Sequence, residues 1–403
     1  MSNIKKTLLY TTIYNVGFMF CSGAIIQTFL LQAGFSEKQV YLFNSLIQIA
    51  QVVMMVVMTV LSSRIKRVKL VTGVSYLSLS LLAIVFLLGA INKDLLGETF
   101  VVVTFFVAGI TNLGVGIYTI MSYCLPYYTI DMAEYGKMSG LGVMFSGGCS
   151  FILSFVHTFV VSKFDYMQSM VWFFILAIIC FILTSIICLS MKEIGKQERE
   201  ESSKEDVIAV FKNKDTYALL IPNFARGLAA GIMSVITVVA ISMKILDEQS
   251  SSLVNVIMQI AMFAGNFIYI FAYKKLSSKN LLVISTIGIC VSLPFCVMGG
   301  NVWFLVLFFL AYLFRMIVDT AIPVLVTEII PQNQIGAFTS IRMLVFTGAQ
   351  AVATLIIMPI VGVVGYNGLM IFAVVMQAIC GAGYFLCAHF KKKENKQFNQ
   401  ETV

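Results

Sequence analysis

LFNSLIQIAQ, residues 42–51, returns as LVNVIMQIAM at residues 253–262. Asn44 aligns with Asn255, Gln48 with Gln259, and Ile49-Ala50 with Ile260-Ala261. The register extends outward in both directions. SSRIKRVKLV (62–71) corresponds to KKLSSKNLLV (274–283), Asn15 and Gly23 to Asn223 and Gly231, and Pro126 and Asp131 to Pro323 and Glu328. The second half of the chain therefore echoes the first in the same order. Such an echo predicts two copies of one helical design.

Composition says what solvent that design meets. Of 403 residues 59% are hydrophobic and 11% charged, with a mean hydropathy of +0.94. Soluble domains are about 25% charged. Apolar segments of about 20 residues, enough to cross a ~30 Å hydrocarbon core as a helix, recur along the whole length. The ten-residue alternation of a membrane barrel is absent. The expected class is an all-α integral membrane protein with twelve spans, at about 8–31, 39–62, 70–91, 99–123, 139–162, 168–190, 216–243, 252–273, 281–299, 302–326, 336–362 and 367–389. Lys5 and Lys6 ahead of the first apolar run read as the flank of a retained span rather than of a cleaved leader.

The stretch KEIGKQEREESSKEDVIAVFKNKD separates six spans from six. The expected organisation is an N-terminal six-helix half over 1–191, a cytoplasmic linker over 192–215, a C-terminal six-helix half over 216–389 and a cytoplasmic tail over 390–403. Basic residues orient it. With the N-terminus inside, Lys38, Lys93, Lys163 and Lys244 alone fall in outer loops, against most of the 27 lysines and arginines on the inner side. Both termini are then cytoplasmic, and the short loops suit a bacterial inner membrane. The net charge of +8 is accounted for by anionic membrane lipid rather than nucleic acid.

Twelve spans, a central linker and basic loops after spans 2 and 8 resemble the major facilitator superfamily over nearly the whole chain. In LSSRIKRVKLV, Arg64, Arg67 and Lys69 match the basic part of that family's Gly-x-x-x-Asp-Arg-x-Gly-Arg-Arg loop, and Ser63 stands where its aspartate is expected. A narrower likeness lies in DMAEYGKMSG (131–140). Asp131, Glu134, Tyr135, Gly136, Lys137 and Gly140 resemble a segment of the glycoside–pentoside–hexuronide cation symporters. Those symporters carry acidic residues in span 2, where this chain has Asn44, Gln48 and Gln51. The resemblance implies a monomeric pseudo-symmetric transporter whose central cavity is lined by spans 1, 4, 7 and 10.

The charged residues inside the spans carry the functional reading. FLAYLFRMIVDTAIP (309–323) sets Arg315 and Asp319 four residues apart, on one face of span 10. A charge at the bilayer centre costs about 2.5–3.5 kcal/mol on insertion scales. The pair either makes insertion tolerable or faces a water-filled cavity. In span 7, Asn223, Arg226, Ala230, Ser234 and Thr237 form a polar or small stripe, and Arg226 has no acidic residue three or four positions away. Two arginines then compete for Asp319, and the surplus positive charge favours an anionic or hydroxyl-rich solute. Spans 1 and 4 add neutral groups, Tyr14, Asn15, Ser22 and Gln27, with Asn112, Tyr118 and Ser122. In span 5, Ser146, Ser150, Ser154 and His157 share a face, which reads as close helix packing, with His157 as a possible proton site.

The resulting expectation is a secondary active transporter for a sugar derivative or small organic anion, working by alternating access. Its substrate residues are Asn15, Ser22, Asn112, Tyr118, Asn223, Arg226 and Arg315. Asp319 is the coupling residue for a proton, with sodium as the other candidate ion. Arg64, Arg67, Asp131, Glu134, Glu328 and Arg342 are gating residues at the cytoplasmic ends, Glu328 being a candidate partner of Arg342. Drug or metabolite efflux and a non-transporting membrane sensor are the rival functions. Enzyme chemistry is disfavoured, since one intramembrane aspartate and the histidines His157 and His389 make no catalytic set. No Gly-rich phosphate loop with a lysine, no CxxC pair and no histidine cluster points to a nucleotide, cofactor or metal.

Overall fold

The computed structural model describes residues 2–61, 65, 67–92, 96–129, 132–192, 214–246, 251–273, 275–330 and 335–401. Among them there is no strand. In lipid each backbone group must find its partner within the chain, and a helix does this inside a single segment. The helices are α1 (Asn3–Phe20), α2 (Gly23–Gln32), α3 (Glu37–Leu61), α4 (Val68–Tyr76), α5 (Ser78–Ile91), α6 (Glu98–Thr129), α7 (Met132–Lys163) and α8 (Tyr166–Leu189). They continue as α9 (Lys214–Ser234), α10 (Ile236–Ser242), α11 (Ser251–Ala272), α12 (Ser278–Phe295), α13 (Asn301–Ile329) and α14 (Ile335–Glu401).

Among the described residues, 9 helices are long and apolar enough to cross a bilayer, or 10 if α9 and α10, bent by 44°, form one span. A shorter apolar helix, Leu253–Tyr269, occupies the place expected for span 8. The run Ile341–Phe390 is 50 residues long, far more than one crossing needs. It is broken at Gly365, where φ is 69° and ψ −178°. That backbone region is essentially reserved for glycine, so the break falls where the expected spans 11 and 12 meet.

The chain forms two compact units, Met1–Arg199 with Ser234–Gln259, and Glu200–Met233 with Ile260–Val403. In the first, α1 packs on α7 and α8, α3 on α6, and α5 on α6 and α8. Phe29, Phe86 and Phe174 close on one another with ring centroids 4.9–5.5 Å apart. Large apolar side chains such as Phe106, Trp172 and Val102 are exposed, which suits a surface facing lipid rather than water.

Two breaks in this unit are stabilised by polar groups. Between α1 and α2, Gly23 takes φ +59°, and Ser22 Oγ donates to the carbonyl of Phe18 (2.7 Å). Between α9 and α10 the carbonyl of Ser234 accepts from Gln27 Nε2 (2.7 Å). A carbonyl released by a bend inside an apolar body is costly unless it is paired.

In the second unit, α12 packs on α13 and α14, and α9 lies very close to α14. A Cβ built on Gly231 would stand 2.6 Å from Ala353 Cβ and 2.8 Å from the Gln350 carbonyl. Gly227, one turn earlier, meets Ala349 Cβ and the Phe346 carbonyl at 2.5 Å. Small residues spaced by four let two backbones approach in this way.

The aligned asparagines of the repeat make equivalent bonds. Asn15 Nδ2 donates from α1 to Ser146 Oγ on α7 (2.5 Å), and Asn223 Nδ2 donates from α9 to the Arg342 carbonyl on α14 (2.7 Å). The repeated asparagine thus ties helices together at both of its positions.

Gly231→Val is expected to destabilise the protein by about 1–3 kcal/mol through overpacking, read as a lower midpoint of thermal unfolding in detergent. Gly348→Ala on α14, where a Cβ meets nothing within 4 Å, should leave that midpoint unchanged or slightly raised.

Candidate functional site

Asp319, on α13 of the second unit, binds two arginines. Its Oδ1 accepts from Arg226 Nη2 at 2.6 Å and from Arg226 Nε at 3.0 Å. Its Oδ2 lies 3.7 Å from Arg315 Nε. The side chains are 12% (Arg226), 16% (Arg315) and 26% (Asp319) exposed. The cluster is therefore largely withdrawn from solvent but keeps an open side. It carries two positive charges and one negative.

The two arginines are held unequally, and helix geometry explains why. The Arg226–Asp319 pair bridges α9 and α13, brought together by the packing of the second unit. The Arg315–Asp319 pair is intrahelical. Helical side chains lean back toward the N-terminus, over the preceding turn, so Arg315 leans away from Asp319. Its guanidinium lies over the ring of Tyr312, three residues earlier, at 5.1 Å. Base before acid is also the weaker order for an i,i+4 pair. Arg226 has its own ring, with its guanidinium 4.5 Å from the Phe346 centroid. Both contacts lie within cation–π range.

Below Arg226 a second layer fixes α9. Asn223 is fully buried, and besides its bond to the Arg342 carbonyl its Oδ1 accepts from Tyr384 OH (3.4 Å). Arg342, placed at a span end by its sequence position, has a buried side chain, 8% exposed. Ser234, the next member of the expected span 7 stripe after Ala230, belongs to the first unit. The stripe assumes a straight helix, and the 44° bend interrupts it.

In the first unit the neutral candidates are occupied by protein partners. Asn112 Oδ1 accepts from Gln51 Nε2 (2.8 Å) and Asn112 Nδ2 donates to the Ala108 carbonyl (2.8 Å). Asn15 and Ser22 make the bonds given above. Tyr118 packs its ring against Tyr14 (4.8 Å) and Tyr76 (5.0 Å). In span 5, Ser154 Oγ accepts from Asn255 Nδ2 (2.8 Å). His157 is buried between Phe20 and Phe173, and neither ring nitrogen has a hydrogen-bond partner among the described residues.

Of the expected gating residues, Arg64 and Asp131 lie outside the described residues, as do the side chains of Glu134 and Glu328. Arg67 is exposed. Nearby, Lys6 and Lys69 donate to the carbonyls of Ser190 (2.5 Å) and Met191 (3.1 Å). They complete the C-terminal end of α8, where cations are favoured.

Sequence reasoning found all three members of the charged cluster. It missed both aromatic supports. Tyr312 was within reach, one turn before Arg315. Phe346 was not, because nothing in local sequence tells which ring of a distant span will meet Arg226.

The family description Major Facilitator Superfamily matches residues 219–402. No curated protein matches the chain in sequence. Among solved structures, the chain is similar to a mutant of the nucleoside transporter NupG, with 14% identity over 97% of this chain and 99% of that one and a TM-score of 0.66. It is similar to the E. coli fucose:proton symporter FucP, with 15% identity, 96% and 98% coverage and a TM-score of 0.64. It is also similar to a D-xylose-proton symporter, with 14% identity, 97% coverage of each chain and a TM-score of 0.66. At such identities the likeness is one of fold. Similar in sequence to that family over residues 219–402 and in structure to its transporters over nearly its whole length, the chain has the fold of the major facilitator transporters, with many helices long and apolar enough to cross a membrane.

Proposed function

We propose that the protein is a secondary transporter that moves a small polar solute, a sugar derivative or an organic anion, by alternating access coupled to protons through Asp319. The two halves would be 1–191 and 216–389, joined by the linker 192–215, with 390–403 as the cytoplasmic tail. The observation that carries this reading is the Arg226–Asp319–Arg315 cluster. Charge is expensive in a membrane and is rarely placed there without a task. Here two cations share one carboxylate and keep a partly open side. Guanidinium groups suit carboxylates and phosphates because their N–H groups are set in a fixed fork.

Coupling follows from the shared carboxylate. While Asp319 is ionised it neutralises one arginine. A proton on Asp319 cancels that neutralisation and raises the net positive charge of the cluster, which strengthens its hold on an anion. Release of the proton on the other side of the membrane weakens that hold again. Two of the similar structures are proton symporters, of fucose and of D-xylose, which supports proton coupling and uptake over efflux. Arg67, Arg64, Asp131, Glu134, Glu328 and Arg342 are proposed to form and break cytoplasmic ion pairs as the halves alternate.

The test is solute-driven proton movement in proteoliposomes, across a panel of sugars, glycosides, sugar acids and small carboxylates. Wild type should acidify or alkalinise the lumen with one class of solute, and Asp319→Asn should reduce that signal to the leak of empty vesicles. Equal movement in both would make Asp319 a structural partner only. The cluster also sets a stability expectation. Asp319→Ala leaves Arg226 and Arg315 without their counter-ion and should cost about 3–5 kcal/mol, measured by unfolding in detergent. The double change Arg226→Leu with Asp319→Leu should cost clearly less than Asp319→Ala alone.

A further inference from the structure

We infer that the two arginines of the cluster have different tasks, and that Arg315 alone is the oxyanion-binding residue, selecting a monoanionic carboxylate solute, while Arg226 holds Asp319 in place. The inference rests on the transporter reading above and deepens it.

Three observations separate the arginines. The first is bonding. Arg226 commits Nε and Nη2 to Asp319 Oδ1 at 3.0 and 2.6 Å, whereas Arg315 approaches Oδ2 only to 3.7 Å. That separation is an ion pair without a hydrogen bond. The donors of Arg315 are therefore not committed to Asp319 by a hydrogen bond. The second is anchorage. Arg226 is fixed by a ring on another helix, Phe346, at 4.5 Å. Its own backbone is fixed by the close approach of Gly227 to the Phe346 carbonyl. Arg315 rests on Tyr312 of its own helix at 5.1 Å, a support that does not tie it to another helix. The third is charge. With Arg226 and Asp319 cancelling, the surplus charge of the cluster sits on Arg315. While Asp319 is ionised a single carboxylate brings the sum to zero, and a proton on Asp319 adds to the attraction, while a neutral solute leaves Arg315 without a counter-charge in a poorly solvated place. A fork of parallel N–H groups accepts a carboxylate through two hydrogen bonds.

The division of labour also sets the order of events. The solute need not displace Asp319 from Arg226 to bind. Asp319 remains paired, and its proton changes the field felt at Arg315 without being a competitor for the same donors.

The experiment uses the purified full chain in lipid nanodiscs, with a panel of C2–C6 monocarboxylates and sugar acids, each beside its amide or parent sugar. The melting midpoint is measured with and without each probe, for wild type, Arg315→Gln, Arg315→Lys and Arg226→Gln. At least one carboxylate should raise the wild-type midpoint where its neutral counterpart does not. Arg315→Gln should weaken that response by at least roughly ten-fold in probe concentration, as loss of a charge-assisted bond implies, with its unliganded midpoint close to wild type. Arg315→Lys should restore part of the response. Arg226→Gln should lower the unliganded midpoint, because Asp319 loses its bonded partner. Carboxylate binding that survives Arg315→Gln, or a response only to neutral probes, overturns the inference and leaves the transporter reading standing. If no carboxylate binds while the proteoliposome panel shows neutral-solute transport, the inference also fails. If no solute moves in that panel at all, it is the underlying transporter reading that fails.

Discussion

One carboxylate shared by two guanidinium groups in an apolar body is the constraint on which the second unit depends. Asp319 cannot be buried alone, nor can Arg226, and each offsets the other's desolvation only at the short distances observed, 2.6 and 3.0 Å. Those distances require α9 to lie against its neighbours without slack. The glycines at 227 and 231 provide this by letting the backbone of α9 approach α14 more closely than any side chain would permit. Asn223 and Tyr384 add a polar lock one turn away. Packing of small residues and pairing of charges are therefore two parts of one arrangement.

The first unit solves a different problem. The candidate polar residues within its spans are neutral, and they serve the backbone and one another. Gln27 covers the carbonyl freed where α9 gives way to α10, Ser22 returns to the preceding turn, and Gln51 meets Asn112. Inside a membrane-sized apolar body these bonds are a condition for having bends at all. The same residue types could serve a hydroxylated solute, but most of their hydrogen-bonding capacity described here is used internally. Charge in the second unit and neutral polarity in the first give the two copies of one helical design different chemistry.

That shared design persists beneath the difference. Asn15 and Asn223 occupy the same place in the repeat, and each ties its helix to another, α1 to α7 and α9 to α14. Gly23 and Gly231 also align, yet they act differently. Gly23 supplies a positive φ at a break, whereas Gly231 supplies space for a neighbouring helix. A duplicated position has kept its residue while its physical use has changed.

Much of this was legible in the sequence because it depends on composition and spacing along the chain. Apolar length points to a chain that crosses a membrane, the repeat at 42–51 and 253–262 to a duplicated helical design, and an arginine and aspartate four apart must share a helix face. A charge that cannot stay unpaired in lipid also pointed to a partner for Arg226, with Asp319 the acidic residue at hand. The tertiary structure decided which arginine holds Asp319, because distances between helices are not encoded in local periodicity. It decided that α9 and α10 bend at 234–236, so that the polar stripe does not run straight, and that the Arg342 side chain is buried. It also chose Phe346 as the support of Arg226. Each of these depends on which surfaces meet after folding, and a one-dimensional pattern specifies which face of a helix is polar without specifying what that face will touch.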